Sequence, residues 1–237
     1  MQFESVARTH VGCRRKVNED TFLSRPDVGL WAVADGMGGH HAGDVASALI
    51  VELLATCPPG LALAPRMTKV HAALADANAQ LIAMASQDPR QRPIGSTAVA
   101  LGVDAGSFHC LWVGDSRAYR AHEGALTQLT HDHSLVQELV DAGHLDPAEA
   151  QTHPNANVIT RAIGSDPDVQ IDAVTGDLAT GDVFLLASDG LTRLIVEDEL
   201  LIALTADDLE RAADALIETC LERGAPDNVT FVILRVR

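Results

Sequence analysis

Trp31-Ala32-Val33-Ala34-Asp35-Gly36-Met37-Gly38-Gly39-His40-His41-Ala42-Gly43 is an apolar run that ends abruptly in a carboxylate. The loop that follows is too rich in glycine to pack as a helix or strand, and a helical pattern starts near Asp44. Gly36, Gly38 and Gly39 lack Cβ atoms, so the backbone there can turn sharply or approach a ligand closely. An Asp held at a strand end beside free carbonyls suits a cation. Taken alone, Asp-Gly is equally a common turn.

The pattern recurs, and recurrence decides between these readings. The run Val183 to Ser188 ends in Asp189-Gly190, and the run Phe108 to Gly114 ends in Asp115. Near the C-terminus the order reverses, with Asp227-Asn228 just before the apolar run Val229 to Leu234. Four aspartates thus stand at the ends of strand-like segments, and strands paired in a buried sheet bring their ends to one rim. Carboxylates that converge without matching cations repel each other, and a hard cation with oxygen ligands resolves the repulsion.

Working outward, residues 3–10, 21–24 and 30–34 read as strands. A helix is expected over 44–55 with Val45, Leu49 and Leu53 on one face, stopped by Pro58-Pro59-Gly60. A longer helix follows, in which Met67, Val70, Leu74, Ala77, Leu81 and Met84 recur at steps of three and four. Residues 87–93 form a polar linker, and strands are then expected over 98–103, 107–113, 118–122 and 126–129 as an antiparallel meander. The pattern loosens over about 131–165, with a helix near 135–142, which points to a flap or small insertion. Strands return at 169–174 and 183–187. The last helix is expected over 206–223, with Thr205 as N-cap and Gly224 as stop, before a final strand at 229–236. This order of elements implies an α+β domain spanning 1–237: two antiparallel sheets packed face to face, with helices outside.

Composition narrows the function. The chain has 237 residues, long enough to bury a sizeable core, with 47% hydrophobic and 21% charged residues. A net charge of −16 argues against binding a nucleic-acid backbone. Cys13, Cys57, Cys110 and Cys220 show no close pairing that would suggest zinc or a redox motif. The N-terminal residues lack a basic segment followed by an apolar one, and no apolar run reaches membrane-spanning length, so a cytoplasmic location is expected.

Five motifs occur in order: Arg15-Lys16-Val17-Asn18-Glu19-Asp20, Asp35-Gly36-Met37-Gly38-Gly39, Gly114-Asp115-Ser116-Arg117, Ser188-Asp189-Gly190 and Asp227-Asn228. Together they resemble the signature of metal-dependent Ser/Thr protein phosphatases of the PP2C (PPM) family, in its bacterial branch. The resemblance runs from Phe3 to Val236. It implies a four-layer α-β-β-α sandwich with a flap, and hydrolysis of phosphoserine and phosphothreonine by a water that bridges two Mn²⁺ or Mg²⁺ ions. Carried over by residue, Asp35 would bridge both metals, the Gly36 carbonyl would bind the first, and Asp189 with Asp227 would complete the second. Glu19 and Asp20 would hold metal-bound waters, and Arg15 would grip the substrate phosphate. Asp115 with Asp189 would form a weaker third site. A planar guanidinium matches phosphate bidentately, so Arg15 suits this task better than Lys16. No arginine follows Cys13 at the C-x5-R spacing of cysteine phosphatases. Met37, directly after Asp35-Gly36, cannot donate a proton, which leaves His40 or water as donor to the leaving group. The implied partners are phosphorylated proteins and a cognate Ser/Thr kinase. A non-catalytic phosphoprotein binder of the same fold is the alternative, and its mark would be a missing metal carboxylate.

Overall fold

The computed structural model describes residues 2–38, 42–87 and 93–237. One sheet has the order β1 (Phe3–His10), β11 (Val229–Val236), β10 (Val183–Ala187), β7 (Arg117–His122) and β8 (Ala125–Gln128). The other runs β2 (Asp20–Arg25), β3 (Leu30–Met37), β5 (Ala98–Asp104), β6 (Ser107–Val113) and β9 (Asp172–Asp177), with the two-residue β4 (Gly95–Ser96) paired to β3. All the pairings are antiparallel.

Period-two alternation sorts the strand residues into three apolar layers. Trp31 and Val33 of β3 face inward with Phe184, Leu186, Val232 and Leu234, forming the layer between the sheets. Leu30, Ala32 and Ala34 of the same strand point outward, where α1 (Ala42–Ala55) and α2 (Leu63–Gln87) cover them. On the far side Leu185, Phe231 and Ile233 pack against α5 (Glu197–Leu204) and α6 (Leu209–Glu222). The four layers expected from sequence are present. Cys57, Cys110 and Cys220 are buried as small core residues, whereas Cys13 is exposed.

Several expectations need correction. Strand β3 does not stop at Asp35 but runs on to Met37, because Gly36 and Met37 pair with Ser96 and Gly95. The meander is split: β5 and β6 lie in one sheet and β7 and β8 in the other, the chain crossing between sheets at 114–116. On α1 the buried face carries Gly43, Ala46, Ser47, Ile50 and Leu54, and Val45 is exposed. Small residues at its N-terminal end let the helix approach the sheet closely, Ile50 and Leu54 fill the centre of the face, and the expected Leu49 and Leu53 pack half-buried at its edge. Strand β9 lies three residues later than expected. The last helical region is two helices, with Thr205 ending α5 and Asp208 capping α6 through the Arg211 amide at 3.0 Å. The short α4 (Asp189–Thr192) and a 3-10 turn (Pro147–Thr152) had no periodic signal long enough to read. The 131–165 segment holds α3 (Leu135–Asp141), capped by Ser134, and otherwise turns.

Candidate metal centre

The rim is assembled from both sheets. Asp20 and Asp35 sit directly opposite one another on β2 and β3. The ladder between β3 and β5 breaks at Asp35, and hydroxyls take over. The Asp35 amide donates to Thr97 Oγ1 at 3.1 Å, and its carbonyl accepts from Ser96 Oγ at 2.9 Å and the Thr97 amide at 2.8 Å. Gly36 is required by close approach, since a Cβ there would overlap the Gly43 carbonyl oxygen. The Gly36 amide donates to the Glu19 carbonyl at 3.0 Å, which fixes the start of β2 against the end of β3.

From the first sheet, Asp189 opens α4 directly after β10 and Ser188, and Asp227 stands two residues before β11. Ser188 Oγ donates to Asp20 Oδ2 at 2.8 Å and so joins the ends of the two sheets. Gly190 is close-packed as well, for a Cβ would overlap the Asn228 carbonyl oxygen. Asp115 lies on the crossing between β6 and β7, after Gly114 at φ +104°, a left-handed backbone that favours glycine.

The electrostatics of this cluster are unbalanced. Burial, together with Asp189 and Asp227 nearby, pushes the Asp20 carboxyl up to about 7, even though Ser188 and Thr230 hydrogen-bond to it. Removal from water and then the charges of Asp20, Asp189, Asp115 and Asp227 raise Asp35 well above the ordinary range. Burial and Asp189 push Asp115 up to about 7, with Arg193 opposing. Asp189 is raised by burial too, against the pull of Arg193. Asp115 Oδ1 is buried and has no hydrogen-bond partner. Among the described residues two guanidinium groups reach the cluster: Arg15 Nη2 is 2.7 Å from Asp227 Oδ2, and Arg193 Nη2 is 2.9 Å from Asp189 Oδ2 and 3.5 Å from Asp115 Oδ2.

Five carboxylates facing two guanidiniums, with one buried oxygen unpartnered, make a donor set that fits hard divalent cations. No three acidic, His or Cys side chains among the described residues close into a ready-made cage. A cation here would take the rest of its shell from backbone carbonyls and water, as Mg²⁺ commonly does.

The structure therefore brings Asp20, Asp35, Asp115, Asp189 and Asp227 together and seats Arg15 beside them. Glu19 is close by, its Oε1 lying 2.7 Å from where a Cβ on Gly43 would stand. His40 lies outside the described residues. Sequence reasoning missed three groups that shape the site. Asn228 donates to the carbonyls of Val11 and Val17, at 2.9 and 3.0 Å, and accepts from the Glu19 amide at 2.8 Å. It thereby staples the loop carrying Arg15 and Glu19 to β11. His133 accepts from the Gly114 amide at 3.0 Å beside Asp115. Arg193 could have been found as an i, i+4 partner of Asp189.

Comparison with known proteins agrees with this geometry. The family described as Protein phosphatase 2C matches residues 13–228. The serine/threonine protein phosphatase PstP of Mycobacterium tuberculosis is 36% identical over 97% of this chain, which spans 44% of that relative's length. PppA of Pseudomonas aeruginosa, a regulatory component of T6SS, superposes with a TM-score of 0.92 at 39% identity, covering 100% of this chain and 99% of its own. The catalytic domain of a PstP in complex with two manganese ions superposes at 0.89 with 35% identity and 99% coverage of both chains. With its two-sheet sandwich, its acidic rim and a family match over most of its length, this chain belongs to the protein phosphatase 2C family.

Proposed function

We propose that the chain is a metal-dependent serine/threonine protein phosphatase, with one catalytic domain over 1–237. The observation that carries this reading is the convergence of Asp20, Asp35, Asp189 and Asp227 from two sheets on one rim with too few cations to balance them. Asp35, the Gly36 carbonyl, Asp189 and Asp227 would hold two Mn²⁺ or Mg²⁺ ions, in keeping with the two manganese ions of the similar PstP domain. Such ions supply a water reactive near neutral pH and offset charge on the phosphoryl oxygens.

The chain's own groups do the rest. Arg15 is half exposed, and one of its five N–H groups is engaged by Asp227, which leaves others for the oxygens of an incoming phosphate. Asp20, anchored by Ser188, and Glu19, placed by the Asn228 contact to its amide, would orient water by accepting its hydrogens. A third ion at Asp115 and Asp189 would meet Arg193 already there, so this site is weaker than the other two. Phosphorylated proteins, a cognate Ser/Thr kinase and a cytoplasmic setting belong to the same reading. Four free thiols fit a reducing compartment. Among the described residues no helix is long and apolar enough to cross a membrane. The binding-only alternative calls for a missing metal carboxylate, and Asp35, Asp189 and Asp227 are all in place.

The test is phosphate release from phosphoSer, phosphoThr and phosphoTyr peptides with and without Mn²⁺. Release from the first two that stops with excess EDTA is expected; full activity after prolonged dialysis against EDTA would sink the reading. In the same assay His40→Ala should cost about tenfold or less, whereas a true general acid contributes about 10²–10⁴-fold. A larger loss confined to the peptides, and absent with an aryl phosphate, would make His40 the proton donor.

A further inference from the structure

Arg193 closes α4, four residues after the Asp189 that opens it, and its amide donates to the Asp189 carbonyl at 2.9 Å. Its side chain is about one-third exposed and reaches three oxygens through a single nitrogen. Nη2 lies 2.9 Å from Asp189 Oδ2, 3.5 Å from Asp115 Oδ2 and 3.1 Å from the Ala156 carbonyl. Only the Ala156 carbonyl accepts a hydrogen bond from it, and the two carboxylates are held by charge. Asp115 is only 6% exposed along its side chain, and its other oxygen has no partner. Arg193 is thus the guanidinium within ion-pair reach of both carboxylates, one of them buried with an unpartnered oxygen, while Arg15 and Arg117 act on Asp189 from farther away.

Ala156 belongs to a different part of the chain. It sits in the turn over 154–157 within the 131–165 segment. The base of that segment is fixed independently: Leu135 bonds Val158, Thr160 bonds His133, and Ser96 and Ile163 exchange backbone bonds. The turn itself is held by the Ala156 amide on the His153 carbonyl at 2.9 Å, the Asn155 amide on His153 Nδ1 at 3.1 Å and the Val158 amide on the Asn155 carbonyl at 3.0 Å, and the Arg193 bond is its tie to α4.

We propose that Arg193 is a built-in cation. Its guanidinium occupies the place between Asp115 and Asp189 that a weakly held third divalent ion would take, and its bond to Ala156 makes the 153–158 turn respond when the two exchange. The inference rests on the metal-dependent reading above. A divalent ion would balance both carboxylates but must first displace the guanidinium, and doing so releases Ala156. By linkage the coupling is reciprocal: whatever holds the turn down through Arg193 weakens the ion by the same factor. Arg193 is thus a positioning residue that sets how tightly this pair of carboxylates takes a cation.

Two measurements on the full chain test this. Mn²⁺ titration by calorimetry should show the weak site of Arg193→Ala tightened at least tenfold, a larger change than at the tight site that Asp189 also serves. Adding Asp115→Ala to that variant should erase the gain. Hydrogen exchange without metal should be several-fold faster over 153–158 in Arg193→Ala than in the parent protein. The parent should reach the same fast exchange in saturating Mn²⁺, whereas the variant should not respond. Arg193→Lys, which keeps the charge but loses the planar fork, should fall between the two. Unchanged weak-site affinity in Arg193→Ala would overturn the competition, and unchanged exchange over 153–158 would overturn the tie. If neither protein bound Mn²⁺ at all, the two-ion reading would fall, while the metal-free exchange comparison would still decide the role of Arg193.

Discussion

Strands β7 and β10 run between two buried aspartates that have opposite fates. At one end Asp182, 0% exposed, is surrounded by donors: Arg120 Nη2 at 2.6 Å, His122 Nδ1 at 2.6 Å and the Ala179 amide at 2.8 Å. Burial pushes its carboxyl up, but these partners outweigh burial and hold it below the ordinary value. At the other end Asp115 is almost as buried, yet one of its oxygens has no partner and its carboxyl is pushed up to about 7. Burial alone therefore does not mark a site. A carboxylate whose partners are all present serves the fold, and one left short of them is kept for a ligand.

The comparison breaks most readily at the rim. Asp35→Asn, Asp189→Asn and Asp227→Asn should each lower kcat on an aryl phosphate by at least about 10²-fold, the scale of losing one charge-stabilising group. The fold should persist, because removing a carboxylate from a crowded acidic cluster relieves repulsion when metal is absent. The parent protein should gain thermal stability from Mn²⁺ through binding linkage, and the three variants less. Equal Mn²⁺ stabilisation in all four proteins would contradict the assignment.

The next largest effect belongs to the opposite end. Asp182→Ala strands the Arg120 guanidinium, and breaking a buried pair from one side costs about 3–5 kcal/mol. Urea midpoints should fall accordingly, with kcat per folded molecule unchanged. Asp115→Ala should show the reverse pattern, with stability near that of the parent and weaker catalysis while both tight metal sites stay filled. Loss of both tight sites in calorimetry would make Asp115 a primary ligand instead.

A smaller effect separates the two ends by pH. Burial pushes the carboxyls of Asp20 and Asp115 up to about 7 in the metal-free fold, against about 3.9 for an exposed aspartate in the unfolded chain. A folded-state value above the unfolded one gives stability that is complete at low pH and lost as pH rises through about 7. The lowered Asp182 acts oppositely, its contribution disappearing as pH falls. Melting temperatures of metal-free protein should therefore decline between about pH 5 and 8, and Mn²⁺ should remove the decline. A metal-free profile that rises over this window would show that the rim carboxylates are not in the strained state described.

How much of this was legible in the sequence depended on whether the signal was local. The bounds of β10 and β11 match their apolar runs, because a strand buried on both faces is a short, nearly continuous apolar stretch, whereas those of the half-buried edge strand β1 match a loose alternation. The rim aspartates were legible because each interrupts or borders such a run. The α1 face was not, since Gly43 and Ser47 pack inward while Val45 stands in solvent. Thr205 looked like a cap because it precedes an amphipathic stretch, but Asp208 is the residue whose carboxylate reaches the α6 amide. Asn228 and Ser188 could be quoted as motif letters without a role. Their partners, Val11, Val17, Glu19 and Asp20, come from the opposite end of the chain, and no window along the sequence joins them.

That joining has a consequence for how the molecule is made. Strand β11 lies between β1 and β10, with Phe3 opposite Val236 and His10 opposite Val229. Strand β1 therefore waits for β11, far along the chain, and contacts between such distant residues form slowly against loop-closure entropy. While the chain is on the ribosome, Asp20 and Asp35 can already pair on β2 and β3, but β1 has no neighbour and Asp227 has not arrived. The acidic rim is completed only once β11 has emerged, so a nascent chain that has not reached Val229–Val236 lacks both Asp227's fixed place and a neighbour for β1.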